Sequence, residues 1–118
     1  AKAEKDVIWI GNSLKTLRNF PDEVKQVFEN AIYYAQLGGK HPQATPKKGH
    51  KGAGVLEVIE DHDKDTYRCM YTVKFGNKIY VLHAFQKKSK QGIATPQADI
   101  DVINARLKEV KKLEGIKS

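Results

Sequence analysis

Residues 66–86, TYRCMYTVKFGNKIYVLHAFQ, contain two long apolar runs joined by a glycine and an asparagine. In the first run, Arg68 lies on the face opposite Tyr67 and Cys69, an alternation that is typical of a β-strand. The pair Gly76-Asn77 predicts a hairpin turn, because residues at such positions adopt positive φ. The stretch therefore predicts two antiparallel strands at the centre of a sheet.

The second run is apolar on both faces, which predicts an interior strand from Lys78 to Gln86. Strict alternation places His83 on the face of Ile79 and Val81, and it places Ala84 on the other face. A histidine near the end of such a strand is either a hydrogen-bonded core residue or a functional one. The sequence leaves both interpretations open.

The patterns around this hairpin predict an α+β fold. A further strand at 55–60 precedes the hairpin, and Asp61 to Asp65 is typical of a turn. The other expected elements are a strand at 6–11, a helical turn at 13–20, a helix from Pro21 to the Gly38-Gly39 pair, a loop at 40–53, and a last helix that Thr95 caps and Pro96 begins. The order β-α-α-β-β-β-α predicts one domain over residues 1–118, with helices on one face of an antiparallel sheet.

The charge of the chain is positive and unevenly distributed. Its 118 residues include 21 lysines and arginines against 14 acids, a formal net charge of +7. Residues 40–51 and 83–92 hold lysines and histidines without an acid, whereas acids concentrate at 57–65 and 99–101. This segregation favours a polyanionic partner, a nucleic acid or an acidic protein, over a surface that is charged only for solubility.

The sequence also bears on the cellular compartment. No apolar run approaches the roughly 20 residues that cross a bilayer, so no membrane partner is expected. The N-terminus lacks the pattern of a secretory signal. The single cysteine, Cys69, excludes an intrachain disulfide and favours a reducing compartment, the cytoplasm. We expect its thiol to be buried and inert.

Three kinds of catalytic site find no support in the sequence. The histidines, at positions 41, 50, 62 and 83, lack the spacing of zinc ligands, so neither a metal nor another cofactor is expected. The glycine-rich GHKGAG at 49–54 lacks the phosphate-loop pattern and precedes a strand instead of following one. No serine occupies a nucleophile elbow.

What remains is a set of cationic side chains that suits RNA. The candidate catalytic residues are Arg68, His83, Lys87 and Lys88, and the candidate RNA-binding residues are Lys47, Lys48, His50, Lys51 and Lys90. RNA carries its own nucleophile, the 2′-hydroxyl, so cleavage needs alignment, neutralised phosphoryl charge and proton transfer. We expect the segments that carry these residues to converge at one edge of the sheet. For Arg68, spacing leaves an alternative open, an ion pair with Glu57 or Glu60.

Residues 54–110 resemble the HigB-type toxins of the RelE/ParE superfamily and their phage-derived relatives. The similarity lies in the strands DTYRCMYTV and VLHAFQKKSKQ and in the helix TPQADIDVINARLKEV, and VIWIGNSLKTLRNFPDEVKQVFENA extends it toward the N-terminus. The resemblance implies a RelE-like fold with a twisted antiparallel sheet, and a toxin of a type II toxin–antitoxin system. It implies metal-independent cleavage of mRNA on the translating ribosome and a partner antitoxin, often with a helix-turn-helix domain.

The resemblance also implies roles for individual residues. Arg68 matches the arginine that contacts the scissile phosphate, Lys87 and Lys88 match the FxKK segment, and 47–51 matches the basic loop toward RNA. Two other functions stay open: inhibition of DNA gyrase, as in the ParE branch, and RNA binding without catalysis. Ile59 favours the latter, because the family often has a basic residue there.

Overall fold

The computed structural model describes residues 4–47, 49–87 and 95–115, which form an α+β fold with three α-helices and a five-stranded sheet. The elements are β1 Asp6–Trp9, α1 Ser13–Arg18, α2 Asp22–Gln36, β2 Ala44–Pro46, β3 Val55–His62, β4 Asp65–Thr72, β5 Lys78–Lys87 and α3 Gln97–Leu113, with a short 3₁₀-helix at Lys51–Ala53. None of the three helices in the described ranges has the length and apolar character that crossing a bilayer requires.

The strands are arranged in the order β1-β5-β4-β3-β2. The predicted meander of β3, β4 and β5 is confirmed, because each of these strands pairs antiparallel with the next. The sheet is nevertheless mixed, since β1 runs parallel to β5, so the prediction of a wholly antiparallel sheet is wrong. The predicted order also lacked β2, a three-residue edge strand that tolerates Pro46 because an edge position needs no donor on its outer side.

The turn between β3 and β4 is a tight two-residue connection. His62 pairs with Asp65, and the two residues between them, Asp63 and Lys64, have φ values of 47° and 72°. Positive φ at both positions is the requirement of the type I′ hairpin turn. The turn predicted at 61–65 is therefore confirmed, and it fixes the register of the two strands.

Helices cover both faces of the sheet, so the prediction that they lie on one face is wrong. Leu17 of α1 and Phe28 of α2 pack with the face that carries Cys69 and Tyr71. Ile103, Leu107 and Val110 of α3 pack with the opposite face, which carries Met70, Tyr80 and Leu82. The physical reason is that β4 and β5 are apolar on both faces, and each face needs a cover.

A β-bulge in β5 reverses the faces of the residues that follow it. Met70 pairs with His83, whereas the next residue, Tyr71, pairs with Val81, so Leu82 is an extra residue in the ladder. One extra residue moves every later side chain to the opposite face. His83 therefore lies on the α3 face, and the strict alternation predicted for this strand is wrong beyond Leu82.

Candidate nucleic-acid interface

Arg68 is buried on the α3 face of β4. Its side chain is 3% exposed, and Nη1 donates a hydrogen bond to Oε2 of Glu57 at 3.1 Å. Nη1 also donates to Oγ1 of Thr95 at 3.4 Å. The prediction that Thr95 caps the last helix is wrong, because the N-cap residue of α3 is Pro96 and no side chain caps the helix. The alternative interpretation of Arg68, an ion pair with Glu57, is confirmed. This pairing fixes the position of a planar guanidinium cation.

Lys87 lies close to Arg68 at the end of β5. It pairs with Thr66, while Arg68 pairs with Phe85, two residues before Lys87. Residues at such diagonal positions of an antiparallel pair have Cα atoms about 7–8 Å apart and share a face. The structure thus brings Arg68 and Lys87 together, whereas Lys88 and Lys90 lie outside the described residues.

His83 occupies the other diagonal position next to Arg68, on the same face. Its Nε2 lies 2.7 Å from Oδ1 of Asp99, and its Nδ1 lies 3.4 Å from Nη1 of Arg106. Since the guanidinium only donates, these partners favour the neutral tautomer in which Nε2–H donates to Asp99 and Nδ1 accepts. The ring also stacks on Phe85, with 5.1 Å between ring centroids.

The surroundings of His83 oppose its protonation. Burial lowers the pKa of His83, the hydrogen bond and charge of Asp99 raise it, and the charge of Arg106 lowers it again. The net direction is downward from the ordinary value, so the imidazole is held neutral at physiological pH. A neutral imidazole oriented by a carboxylate is the arrangement of a general base.

Arg106 connects α3 to the loop after β1. Its Nη1 donates to the carbonyl of Leu82 at 2.8 Å, and its Nη2 donates to Oδ1 of Asn12 at 2.9 Å. Gly11 makes room for the guanidinium: it has φ +59°, and a Cβ there would lie 2.7 Å from Nη2. The carbonyl of the bulge residue Leu82 is thereby satisfied by a side chain.

Sequence reasoning missed both Asp99 and Arg106 as partners of His83. The available signal was their spacing of seven residues, which places both on one face of α3. That spacing becomes informative only once the bulge has placed His83 on the same side of the sheet. The bulge itself has no mark in the sequence, since Leu82 is an ordinary strand residue.

The described part of the basic segment at 47–51 does not meet Lys87. The backbone N–H of Lys47 donates to the carbonyl of Val55 at 2.9 Å, and Val55 pairs with Thr72. Thr72 lies six residues along β4 from Thr66, the partner of Lys87, which is about 20 Å of strand. The predicted convergence at one edge is therefore wrong for Lys47 and for His50, which contacts α3 through Asn104. Lys48 and the side chain of Lys51 lie outside the described residues.

Two other candidate chemistries can be placed on the structure. Cys69 is buried, as predicted, and burial raises the pKa of its thiol to about 12, so the thiol stays protonated and unreactive. Within the described residues, no three side chains of His, Cys, Asp or Glu lie close enough together to hold a metal ion.

A comparison with protein families identifies the chain at the family level. The model of the family described as "Phage derived protein Gp49-like (DUF891)" matches residues 15–108. The chain belongs to this family. No curated protein matches the sequence. In this Gp49-like protein, the matched segment begins within α1 and ends within α3, so it contains Arg68, His83, Lys87 and Arg106.

Proposed function

We propose that this Gp49-like protein is the toxin of a type II toxin–antitoxin system, and that it inhibits translation by cleaving mRNA on the ribosome. The observation that carries the proposal is the family match over residues 15–108, because the Gp49-like family is associated with RelE-type toxins, which are nucleases. The resemblance of the two long strands to HigB-type toxins supports the same activity. The inhibitory partner would be a cognate antitoxin, of helix-turn-helix type by the same resemblance.

The proposed chemistry uses the nucleophile that RNA carries. The 2′-oxygen loses its proton and attacks the adjacent phosphorus, and the 5′-oxygen of the next nucleotide leaves and takes up a proton from solvent water. The products are a 2′,3′-cyclic phosphate and a 5′-hydroxyl. Negative charge on the phosphoryl oxygens must be neutralised while this happens. Arg68 and Lys87, at neighbouring diagonal positions of β4 and β5, are the cations proposed for this role.

His83 is the proposed general base. Asp99 holds Nε2 at 2.7 Å, which leaves the Nδ1 lone pair as the position that accepts a proton from the 2′-hydroxyl. In the structure, Nδ1 lies 3.4 Å from Nη1 of Arg106. This distance is longer than the 2.7 Å between Nε2 and Asp99. An RNA phosphate that drew Arg106 toward itself would release Nδ1 for the proton.

A second candidate function is RNA binding without catalysis. It is favoured by one observation: Arg68 and His83 already contact carboxylates of this chain, Glu57 and Asp99, and Arg68 is 3% exposed. Substrate contact by Arg68 would require its guanidinium to exchange part of this pairing for a phosphate. A protein that binds RNA through its exposed cations would need no such exchange.

Induced expression with primer-extension mapping of transcripts separates the two functions. The proposed nuclease arrests growth and produces new 5′ ends within reading frames, and Lys87→Ala reduces both effects. Lys15→Ala is the matched control, because Lys15 is an exposed cation of α1, on the opposite face of the sheet. Growth arrest with intact transcripts would reject the nuclease, and loss of plasmid supercoiling in that case would favour gyrase as the target.

A further inference from the structure

A cationic cleft lies on the protein, apart from Arg68 and Lys87. It runs between the loop at 49–53 and the C-terminal half of α3 and has a volume of about 450 Å³. The residues that matter here are Gly49, His50 and Gly52 on the loop, and Asn104, Lys108 and Lys111 on the helix. We call it the loop–α3 cleft.

Among the described residues, the charged side chains that line the loop–α3 cleft are lysines. No carboxylate is among the lining residues, and neither Lys108 nor Lys111 belongs to an ion pair within the described part of the chain. Asp101 and Glu109 line a neighbouring groove on α3, which shares Asn104 and Lys108 with the cleft. Glu114, which follows α3, accepts a hydrogen bond from Tyr80. Lys111 also complements the negative end of the helix, but Lys108 precedes the last turn, so the helix dipole does not explain it.

The loop side of the cleft is open to close approach. A Cβ added at Gly52 would meet no heavy atom within 4 Å, and the same holds at Gly49, whose φ of +87° favours glycine. The loop is held in place by Lys74, whose Nζ donates to the carbonyl of Gly52, and by His50, whose Nε2 lies 2.7 Å from Oδ1 of Asn104. The other imidazole nitrogen of His50 is buried and has no hydrogen-bond partner within the described residues.

We propose that the loop–α3 cleft binds a phosphate group of an RNA backbone. Two lysines act as point charges for a phosphate, and the glycines allow the backbone of the loop to come close. No acid is among the described residues that line the cleft. The ligand class rests on the proposed function, whereas the geometry of the cleft does not.

The cleft is separate from the proposed cleavage site. The loop at 49–53 precedes Val55, whose partner Thr72 lies four residues along β4 from Arg68, about 13 Å of strand. A phosphate bound in the loop–α3 cleft would therefore belong to a part of the substrate strand away from the cleaved bond, or to ribosomal RNA. Both sources present the same chemistry.

The test is a salt series of RNA affinity with charge variants. Lys108→Gln/Lys111→Gln is compared with Lys112→Gln/Lys15→Gln, which removes the same charge outside the cleft. The probes are a fluorescent single-stranded oligoribonucleotide, read by anisotropy, and purified ribosomes, read by co-sedimentation. The expected result for the cleft variant is an affinity roughly three- to tenfold weaker. A plot of its log affinity against log salt should be about 0.7 shallower for each phosphate that the variant no longer neutralises.

Gly52→Asp and Gly52→Asn provide a second, nearly isosteric comparison, because both side chains enter open space and only one is charged. The proposal expects Gly52→Asp to weaken binding more than Gly52→Asn. If the variant binds both probes more weakly, the phosphate in the cleft belongs to the single-stranded substrate RNA. If it binds only ribosomes more weakly, the phosphate belongs to ribosomal RNA. Either result supports phosphate binding in the loop–α3 cleft. Unchanged affinity and slope on both probes would overturn it, even if RNA cleavage continues. Weakened affinity in a protein that cleaves nothing would instead reject only the nuclease.

Discussion

The carboxylate of Asp99 lies 2.7 Å from Nε2 of His83, so the first turn of α3 is joined to β5 by a side-chain hydrogen bond. Arg106 contacts the same imidazole from two turns further along the helix. The two contacts hold His83 against the face of the sheet that also carries Arg68. This arrangement gives the proposed base one tautomer and one orientation.

Asp99→Asn should lower the pKa of His83 further. Asp99 raises that pKa through its hydrogen bond and its charge, and asparagine keeps an acceptor but removes the charge. The measurement is the pH titration of the ¹⁵N chemical shifts of the His83 ring. Asp101→Asn, on the exposed side of α3, is the control and should leave the titration unchanged. A pKa of His83 that rises in Asp99→Asn would contradict the conclusion that Asp99 raises this pKa.

The stability of the protein should fall as the pH drops below the ordinary histidine pKa of about 6.5. The pKa of His83 is lowered in the folded state, so between that value and about 6.5 the unfolded chain binds more protons. Urea unfolding from pH 7.5 to 5.5 measures the effect. His83→Gln cannot take up this proton, so its free energy of unfolding should change less over the same range. Equal pH dependence of the two proteins would argue against a depressed pKa.

Gly11→Ala should destabilise the fold more than Gly76→Ala. Both glycines have nearly the same positive φ, +59° and +60°, so the backbone cost of alanine is matched. Only at Gly11 would the added Cβ meet the guanidinium of Arg106, at 2.7 Å, whereas it meets nothing within 4 Å at Gly76. Alanine at either position costs about 1–2 kcal/mol for its left-handed conformation, and the displacement of Arg106 adds to it. Thermal unfolding of the two variants measures the difference.

Arg68→Ala should destabilise the protein by about 3–5 kcal/mol, because it leaves Glu57 buried without its cation. The double variant Arg68→Met/Glu57→Leu removes both charges and should be less destabilised than the sum of the single changes. Urea denaturation gives the coupling energy of the pair. Additive effects would mean that the two side chains do not depend on each other. Reduced toxicity of Arg68→Ala must therefore be interpreted together with its folded fraction.

Much of the sheet is predictable from local patterns. The alternation around Cys69 and the turn at 61–65 are local features, and both are confirmed. The parallel placement of β1 beside β5 depends on how distant segments pack, and no short-range pattern encodes it. The three residues of β2 were interpreted as loop, because a strand that short and containing Pro46 carries little signal.

The candidate site was predictable only in part. The ion pair of Arg68 with Glu57 was one of the alternatives that spacing left open. The pairing that brings Arg68 next to Lys87 lies beyond the bulge at Leu82, which has no mark in the sequence. The faces after Leu82 were mispredicted because the bulge inverts them, and the partners of His83 on α3 were missed for the same reason. Lys47 and His50 were placed at the wrong end of the sheet, because the charge composition of a loop does not indicate where the loop lies.

The proposed cleavage of mRNA is tested by the chemistry of the RNA ends that form on programmed ribosomes. Purified protein is mixed with ribosomes that carry a defined mRNA, and the fragments are analysed for 2′,3′-cyclic phosphate and 5′-hydroxyl termini. We expect these termini with the wild-type chain and with Lys15→Ala, and we expect their strong reduction with Lys87→Ala and His83→Gln. An mRNA that stays intact while the folded protein is bound to the ribosome would contradict the proposed cleavage.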